Sequence, residues 1–475
     1  MLFNSLEFAV FFPLVTLLYF LVPGPARVFV LLAASCAFYM AFVPAYILIL
    51  FGVILVDYVA GRMIEHATGP RRKLLLAASL VANVGILAFF KYFNFFQANV
   101  AAVFGSFGHA APFPALGIIL PIGLSFHTFQ SMSYTLEVYR GHVPAERSLP
   151  HFALYVLFYP QLVAGPIERP QNLLAQFHTT HRFDLARCLD GLRLMATGLF
   201  KKIIIADRLA VFVDATYKNP GDHSGATLLL ATYFFAIQIY CDFSGYSDIA
   251  RGAARVMGYE LMLNFNRPYF ATSVGDFWRR WHISLSTWFR DYVYIPLGGS
   301  RHTVPRRCVN LLIVFLLSGV WHGANWTFVV WGLLHGAFVT VEVLAGRGGS
   351  AERKKARGFA FGRALLVFNL TALAWVFFRA ASVTDAALIL RRIATAFGSL
   401  ALPGLSTLEL TVALLLIAAL FLTEHLGRER PVWSRLAAQP RWIRWGAYYL
   451  FAVAFLALAL TGPQHQAQPF IYFQF

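Results

Sequence analysis

Long apolar runs, separated by short basic or polar segments, are the dominant pattern along this chain. Phe8–Val22, Tyr46–Ala60 and Leu74–Phe90 are early examples, and similar runs recur to Trp445–Leu460. A helix of about 20 mostly apolar residues spans a bilayer. The pattern predicts an all-α fold, a polytopic helical bundle of about 10 to 12 transmembrane helices with additional re-entrant and interfacial helices. Without a linker or an internal repeat, residues 1–475 are expected to form a single transmembrane domain.

Composition and charge agree with a membrane protein. The 475 residues are 59% hydrophobic and 13% charged, whereas about a quarter of the residues in a soluble domain are charged. The net charge of +17 raises the question of nucleic acid, but the lysines and arginines lie between apolar runs and not on one soluble face. The lipid bilayer is therefore the expected partner. The four cysteines have neither disulfide nor metal-ligand spacing, and no metal site is expected.

The distribution of basic residues predicts the topology. Clusters at residues 71–73 and 306–307, and the run Arg347–Arg363, lie between apolar runs. Cytoplasmic loops of membrane proteins are enriched in Lys and Arg. These three segments are therefore expected in the cytoplasm and both termini outside it. Residues 386–397 contain two arginines and are predicted to form an interfacial helix instead of a span.

Polar residues mark apolar runs that do not face lipid on all sides. Ile118–Tyr134 carries His127 among several polar residues, so it is expected inside the bundle. Phe152–Val163 is short for a span and is interpreted as re-entrant. His127 and His151 are either ligands or proton-relay groups, or histidines hydrogen-bonded to neighbouring helices. For His335 the second interpretation is favoured.

Two adjacent lysines, Lys201 and Lys202, interrupt the apolar run Leu192–Ile205. Charged side chains are unfavourable within a bilayer and are usually paired or reach its surface. The following residues, 206–208, are therefore predicted to form the end of a helix near the membrane surface.

Two histidines that each follow a tryptophan are the main candidates for chemistry. His322 lies in Trp321–Trp326, which interrupts a stretch of otherwise apolar residues, and a histidine in such a position marks a functional site by default. His282 lies in an amphipathic stretch that the spacing predicts to be one helix. Its polar stripe contains Arg279, His282, Ser286 and Arg290, and its apolar side contains Phe277, Trp281, Leu285 and Trp288.

The order of these motifs resembles the membrane-bound O-acyltransferase family, and most closely its bacterial branch that acetylates exopolysaccharides such as alginate. The resemblance rests on Trp-His-Gly at 321–323, on His282 about forty residues earlier, and on segments at 1–8, 120–130, 159–166 and 238–248. It covers nearly the whole chain. It implies that His322 and His282 are catalytic, that the catalytic core lies at about 118–345, and that the protein is a multi-pass protein of the bacterial inner membrane.

Acyl transfer from a thioester to a hydroxyl needs a base for the hydroxyl proton and donors for the developing oxyanion. His322, beside Trp321 and Trp326, is expected to be the uncharged base. Asn325, Ser318 and the backbone amides near Gly323 are candidate oxyanion donors. The sequence contains no G-x-S-x-G motif, so a covalent acyl-serine intermediate is not expected.

Two basic residues could bind the acyl donor. Arg279 and Arg280 are candidates to hold the phosphates of acetyl-CoA, which would be a co-substrate and not a bound cofactor. His282 would either join them or orient the catalytic base. The segment 238–248 supplies further candidates for substrate contact: Gln238, Asp242, Ser244 and Asp248. The alternative for this segment is structural ion pairing, with Asp248 paired to Arg251 three residues later.

Two classes of function follow. The first is an O-acyltransferase that moves a short acyl group from a cytoplasmic donor to an extracytoplasmic polysaccharide, directly or through a periplasmic relay protein. The second is a transporter or flippase that binds an acyl donor or glycan without reacting with it. The polar positions cluster in the middle third of the chain without inverted-repeat symmetry, which favours the enzyme.

Overall fold

The computed structural model describes residues 1–118, 120–162, 165–346, 360–428, 432–460 and 470–471. Helices dominate these residues. In chain order they are α1 Leu6–Leu21, α2 Arg27–Met40, α3 Ile47–His66, α4 Gly69–Ser106, α5 Leu124–Arg140, α6 Leu149–Leu157, α7 Leu173–Phe177, α8 Leu185–Leu199, α9 Asp207–Lys218, α10 Gly225–Met257, α11 Val274–Trp278, α12 Ile283–Phe289, α13 Val304–His322, α14 Trp326–Leu344, α15 Ala360–Arg379, α16 Val383–Thr395, α17 Thr407–Leu426, α18 Val432–Ala437 and α19 Arg441–Leu460.

The expected polytopic helical fold is confirmed. Within the described ranges, eight helices are long and apolar enough to cross a membrane: α3, α4, α10, α13, α14, α15, α17 and α19. Two further apolar segments, Leu6–Leu21 and Gly24–Met40, are shorter than these eight and are not among the candidate spans. The predicted interfacial helix is α16, which has 13 residues and is not among the candidate spans. Most of the basic run Arg347–Arg363 lies outside the described residues.

The chain divides into two compact units. The first contains residues 1–195 and 249–263, and the second contains 196–248 and 264–475. That the whole chain is one domain stays a prediction. The first unit contains the residues 118–134 expected to lie inside the bundle, and the second contains His282, His322 and the candidate binding residues.

A polar helix forms the interior of the first unit, as expected for residues 118–134. Helix α5 buries 13 of its 17 residues. Its Ser131 donates a hydrogen bond to the carboxylate of Asp57, which is fully buried on α3. Asp57 also accepts from Ser79 at 2.6 Å and from Asn83 at 2.8 Å, both on α4. Several donors thus satisfy a buried carboxylate that would otherwise be strongly unfavourable.

Hydrogen bonds also account for two histidines of this unit, His127 and His151. His127 Nδ1 lies 3.2 Å from the carbonyl oxygen of Val156 on α6, and His151 Nδ1 lies 2.7 Å from Ser148 Oγ. The interpretation of His127 as hydrogen-bonded to a neighbouring helix is confirmed. Helix α6 has nine residues and is too short to span a bilayer, as expected. The end of the predicted re-entrant segment, Val163, lies outside the described residues.

Residues 206–208 do not form the end of a helix, so that expectation is wrong. Residues Phe200–Ala206 form a π-helical turn that continues directly into α9, and the helix ends at Lys218. Lys202 is only 1% exposed and forms ion pairs inside the unit. Because their charges are neutralised locally, the lysines have no need to reach the membrane surface. Wide π turns of this kind are frequent at functional sites.

The single amphipathic helix predicted around His282 is also wrong. The segment forms two short helices, α11 and α12, separated by a turn at residues 279–282. His282 adopts a left-handed backbone conformation with φ 43° and ψ 55°. A residue in this conformation cannot continue a right-handed helix, so the polar stripe from Arg279 to Arg290 does not exist as one surface.

Helices α13 and α14 form the hairpin that carries His322. Glycines bring them together: a Cβ on Gly319 would lie 2.3 Å from the carbonyl oxygen of Phe328, and a Cβ on Gly332 would lie 2.4 Å from that of Phe315. Small residues permit close helix contacts in membranes, where packing and not hydrophobicity drives association. The approach fixes the end of α13, and therefore His322, against α14.

Candidate active site

His322 is the last residue of α13 and lies in an aromatic enclosure. Its ring centroid is 5.0 Å from Trp321, 4.9 Å from Trp331 and 5.5 Å from Phe378, each in an edge-on arrangement. The side chain is buried, with 3% of the residue exposed. Trp326, expected to flank the histidine, is 55% exposed at the start of α14, so that expectation is wrong. Trp331, one helical turn further on, occupies the neighbouring position.

The turn between α11 and α12 brings His282 to the same place. Its ring centroid lies 6.4 Å from His322, 6.1 Å from Trp321 and 4.7 Å from Phe243. The left-handed backbone of His282 costs about 1–2 kcal/mol for a residue with a Cβ. Such strain persists where surrounding packing imposes it, and it concentrates at functional sites. The two histidines predicted to act together are therefore adjacent.

The environment of His282 favours one of its two proposed roles. The residue is fully buried, and burial lowers the pKa of its imidazole to about 3. The ring is therefore neutral at physiological pH and supplies no positive charge for a phosphate. This favours orientation of the base or hydrogen bonding to a reacting group over binding of a donor phosphate.

A cavity of about 1260 Å³ opens beside the histidines. The described residues that line it include seven arginines and three acidic residues, an excess of four positive charges. Its walls come from α11, α12, α13 and α14, and it extends to Ser318 and Ile283. Ser318 is one turn before His322 on α13, about 6 Å along the helix axis. Ile283 directly follows His282.

Arg279 and Arg280, predicted to bind the donor, both line this cavity. Arg280 Nε donates to Asp276 at 2.9 Å, and Arg279 lies 3.4 Å from the same carboxylate. The Arg279 side chain is 53% exposed. The guanidinium groups are held near the cavity and retain donors for a further anion.

Two acidic residues of α10 are bound to lysines, which supports structural pairing over substrate contact. Lys202 forms ion pairs with Asp242 and, at 2.8 Å, with Asp207. Asp242 also accepts a hydrogen bond from the Ile471 amide at 2.8 Å. Lys201 pairs with Asp248 at 2.8 Å. The predicted Asp248–Arg251 pair stays a prediction.

The remaining candidates on α10 are buried on the same helix. Gln238 is 7% exposed and Ser244 is 1% exposed. Gln238 Oε1 and Ser244 Oγ have no hydrogen-bond partner within the described part of the chain. Phe243 lies next to Ser244 and packs against His282, so this helix forms a wall of the site. A substrate role for Gln238 and Ser244 stays a prediction.

Asn325 is the N-cap residue of α14. Its side-chain oxygen accepts a hydrogen bond from the Thr327 amide at 3.0 Å and so caps the first turn of α14. Its amide nitrogen donates to the carbonyl oxygen of Ala381 at 3.0 Å. An oxyanion contact would have to use the second N–H of this amide or displace the Ala381 bond.

Several contributors to the site were missed from the sequence. Trp331 contacts His322, and Trp278 lines the cavity and packs against Trp331. Both look like ordinary apolar residues of a membrane helix or an amphipathic stretch. The ion pairs of Lys202 could have been anticipated from the sequence, because a lysine in an apolar run requires a partner.

Comparison of the sequence with known protein families identifies the family to which the chain belongs. The sequence model of the membrane-bound O-acyltransferase family matches residues 75–372, which include both histidines and most of the cavity wall. The chain belongs to the membrane-bound O-acyltransferase family. It is therefore an acyltransferase, and the resemblance noted from its motifs is confirmed.

Proteins similar to this chain are found in several bacteria. A probable alginate O-acetylase, AlgI, of Azotobacter vinelandii is 40% identical, with 88% of this chain and 83% of that protein aligned. A probable alginate O-acetylase AlgI of Pseudomonas putida is 37% identical over the full length of both proteins. A peptidoglycan O-acetyltransferase of Helicobacter pylori is 36% identical, with 80% of this chain and 75% of that protein aligned.

Proposed function

We propose that this membrane-bound O-acyltransferase transfers an acetyl group from acetyl-CoA in the cytoplasm to hydroxyl groups of an extracytoplasmic polysaccharide such as alginate. The acceptor is either the polysaccharide itself or a periplasmic protein that relays the acetyl group. The protein would act from the inner membrane. The names of similar proteins, which refer to alginate and peptidoglycan, support a polysaccharide as the final acceptor.

The position of the cavity carries this proposal. Two of its arginines, Arg307 and Arg363, belong to separate segments that the charge pattern predicts to be cytoplasmic. Ser318, which also lines the cavity, lies one helical turn from His322. Arg307 and His322 are 15 residues apart on α13, which corresponds to about 22 Å along the helix. A phosphorylated thioester could thus enter from the cytoplasm with its phosphates on arginine and its acyl end toward His322.

The charge of the cavity suits such a donor. Its three acidic residues are already bound: Asp276 to Arg280, Glu342 to the first amides of α11, and Glu424 to the Tyr240 hydroxyl. Arg307, Arg363 and Arg428 form no ion pair with any described residue. Arginine binds phosphate with several directed hydrogen bonds, and its guanidinium is always charged. The free positive charge therefore matches a polyanionic donor.

The proposed reaction uses the two histidines in different roles. His322 accepts the proton of the acceptor hydroxyl as its oxygen attacks the thioester carbonyl carbon. The carbon–sulfur bond breaks, the ester bond forms, and the proton passes to the thiolate of coenzyme A. His282, neutral and 6.4 Å away between ring centroids, orients His322 or the hydroxyl. Aromatic side chains exclude water, which would otherwise hydrolyse the thioester.

Release of free thiol from acetyl-CoA by the purified protein in lipid nanodiscs tests this proposal. With an oligosaccharide acceptor present, wild type should release thiol and form an ester. His322→Ala and His322→Gln should both lower the rate by about 10²–10⁴-fold, because glutamine has no basic nitrogen. His66→Ala is the matched control, since this histidine side chain is 71% exposed and far along the chain from the site.

Two outcomes would contradict the proposal. A well-folded His322→Ala variant that retains more than roughly a tenth of the wild-type rate would exclude general-base catalysis by this residue. Absence of thiol release from wild type under every acceptor condition, together with movement of a labelled donor or glycan across the membrane, would instead support the transporter alternative.

A further inference from the structure

His335 forms a hydrogen bond that the proposed reaction does not use. It is fully buried on α14, and its Nδ1 accepts a hydrogen bond from the indole N–H of Trp278 at 3.3 Å. Because Nδ1 is the acceptor, a neutral ring carries its proton on Nε2. Nε2 is buried and has no hydrogen-bond partner within the described ranges. A buried donor without an acceptor is unfavourable, so stability alone does not explain a histidine here.

Packing fixes the ring of His335. It lies parallel to Phe277 with a centroid distance of 6.2 Å and an interplanar angle of 3°, and it is also stacked with Phe315 at 6.4 Å. Trp331 contacts its edge at 5.1 Å. A histidine surrounded in this way holds its acceptor nitrogen in one place. The indole of Trp278 is therefore bound to a rigid partner.

Helix α14 holds α11 at both ends. Glu342, seven residues after His335 and on the same face of α14, accepts hydrogen bonds from the first amides of α11, including Gly275 N–H at 2.9 Å. His335 binds Trp278, which is the last residue of α11. The five-residue α11 is thus clamped between two side chains of one helix. The turn that contains His282 begins directly after it.

Trp278 connects the wall of the cavity to the surroundings of His322 through Trp331. It lines the cavity, is 8% exposed, and packs edge-on against Trp331 at 5.7 Å. Trp331 in turn lies 4.9 Å from His322 and does not line the cavity. The two indoles thus link the wall of the cavity to the surroundings of His322.

We infer that His335 is a positioning residue that holds Trp278 across the inner end of the cavity, so that only a short acyl group such as acetyl reaches His322. The inference rests on the proposed function. The transfer itself is unchanged: the thioester carbon–sulfur bond breaks, the ester forms, and the hydroxyl proton passes through His322 to the thiolate. His335 does not touch the reacting atoms but determines which acyl groups fit.

The test is the acyl-chain preference of purified variants, measured as thiol release from acetyl-, butyryl- and hexanoyl-CoA. His335→Phe removes the acceptor, and Trp278→Phe removes the donor. Both should lower the preference for acetyl over hexanoyl at least about tenfold, since each methylene accommodated in an apolar site is worth about 10- to 200-fold. His335→Gln keeps an acceptor oxygen and should largely retain the wild-type preference.

A matched control separates this role from a general loss of packing. Trp433→Phe removes another indole hydrogen bond of the same unit, to Thr197 Oγ1 at 2.7 Å, and should leave the preference unchanged. If His335→Phe does not fold, Trp278→Phe carries the test. An unchanged preference in folded Trp278→Phe or His335→Phe, or an equal shift in His335→Gln or Trp433→Phe, overturns the inference. No thiol release by wild type would instead remove the proposed function, and the inference with it.

Discussion

Replacing Lys202 with methionine tests whether the acidic residues of α10 are structural. The lysine side chain is 2% exposed and lies between Asp207 and Asp242, whose side chains are 14% and 3% exposed. Methionine has a similar length but no charge. The variant leaves two buried carboxylates close together without a cation between them. Repulsion and lost hydration then act on the folded state and not on the unfolded chain.

The expected loss of stability is about 3–5 kcal/mol, the usual effect of removing one partner from a buried ion pair. This is a large fraction of the roughly 5–15 kcal/mol by which a folded protein is stable. Asp242→Asn alone should cost less, about 1–2 kcal/mol, because Lys202 keeps one carboxylate and the amide oxygen can still accept from Ile471 N–H. Lys202→Met with Asp242→Asn should recover part of the loss of Lys202→Met, since the two sites are directly coupled.

Unfolding in detergent, followed by tryptophan fluorescence against temperature, measures these differences. Lys201→Met is the matched control: its side chain is 15% exposed, so its pair with Asp248 is less deeply buried, and the loss should be smaller. The folded fraction of Asp242→Asn should keep the wild-type KM. A raised KM without lost stability would show that Asp242 contacts substrate. Equal melting temperatures for Lys202→Met and wild type would refute the ion-pair reasoning.

Three further predictions concern the donor site, the hairpin and the topology. Arg279→Ala or Arg280→Ala should raise the KM for acetyl-CoA more than it lowers kcat, whereas Arg391→Ala, at an exposed position of α16, should change neither; an unchanged KM would leave these arginines a purely structural role. Gly332→Ala should destabilise the protein by about 1–3 kcal/mol, because the new Cβ would meet the Phe315 carbonyl oxygen at 2.4 Å. Gly85→Ala, which has open space around its Cβ, should be neutral or stabilising in the same melting experiment. Equal melting temperatures for the two variants would contradict the close packing of α13 and α14. Lys354 lies outside the described residues but within a segment predicted to be cytoplasmic. In intact cells, a thiol reagent that cannot cross the membrane should therefore not label Lys354→Cys. Labelling of this variant would show that the predicted topology is inverted.

Much of the architecture could be predicted from local patterns. The apolar runs correspond to the spanning helices, and the polar run at 118–134 is the buried α5, because a bilayer demands that each segment match its surroundings residue by residue. His322 stood out for the same reason, as a histidine within apolar sequence. Motif order then supplied the family, which the comparison confirmed. These signals depend on residues near one another in the chain.

What the sequence did not reveal depends on contacts between distant segments. The periodicity of residues 277–290 predicted one helix. In the structure His282 has a left-handed backbone conformation that divides this segment, and its ring packs against Phe243 and Trp321. A helix end was predicted at 206–208, directly after Lys201 and Lys202, because the partners of these lysines, Asp242 and Asp248, are some forty residues away. A hydrophobic pattern specifies which face of an element is buried. Only the tertiary structure decides which side chains meet there, because partner choice is set by the close packing of helices and not by polarity along any one of them.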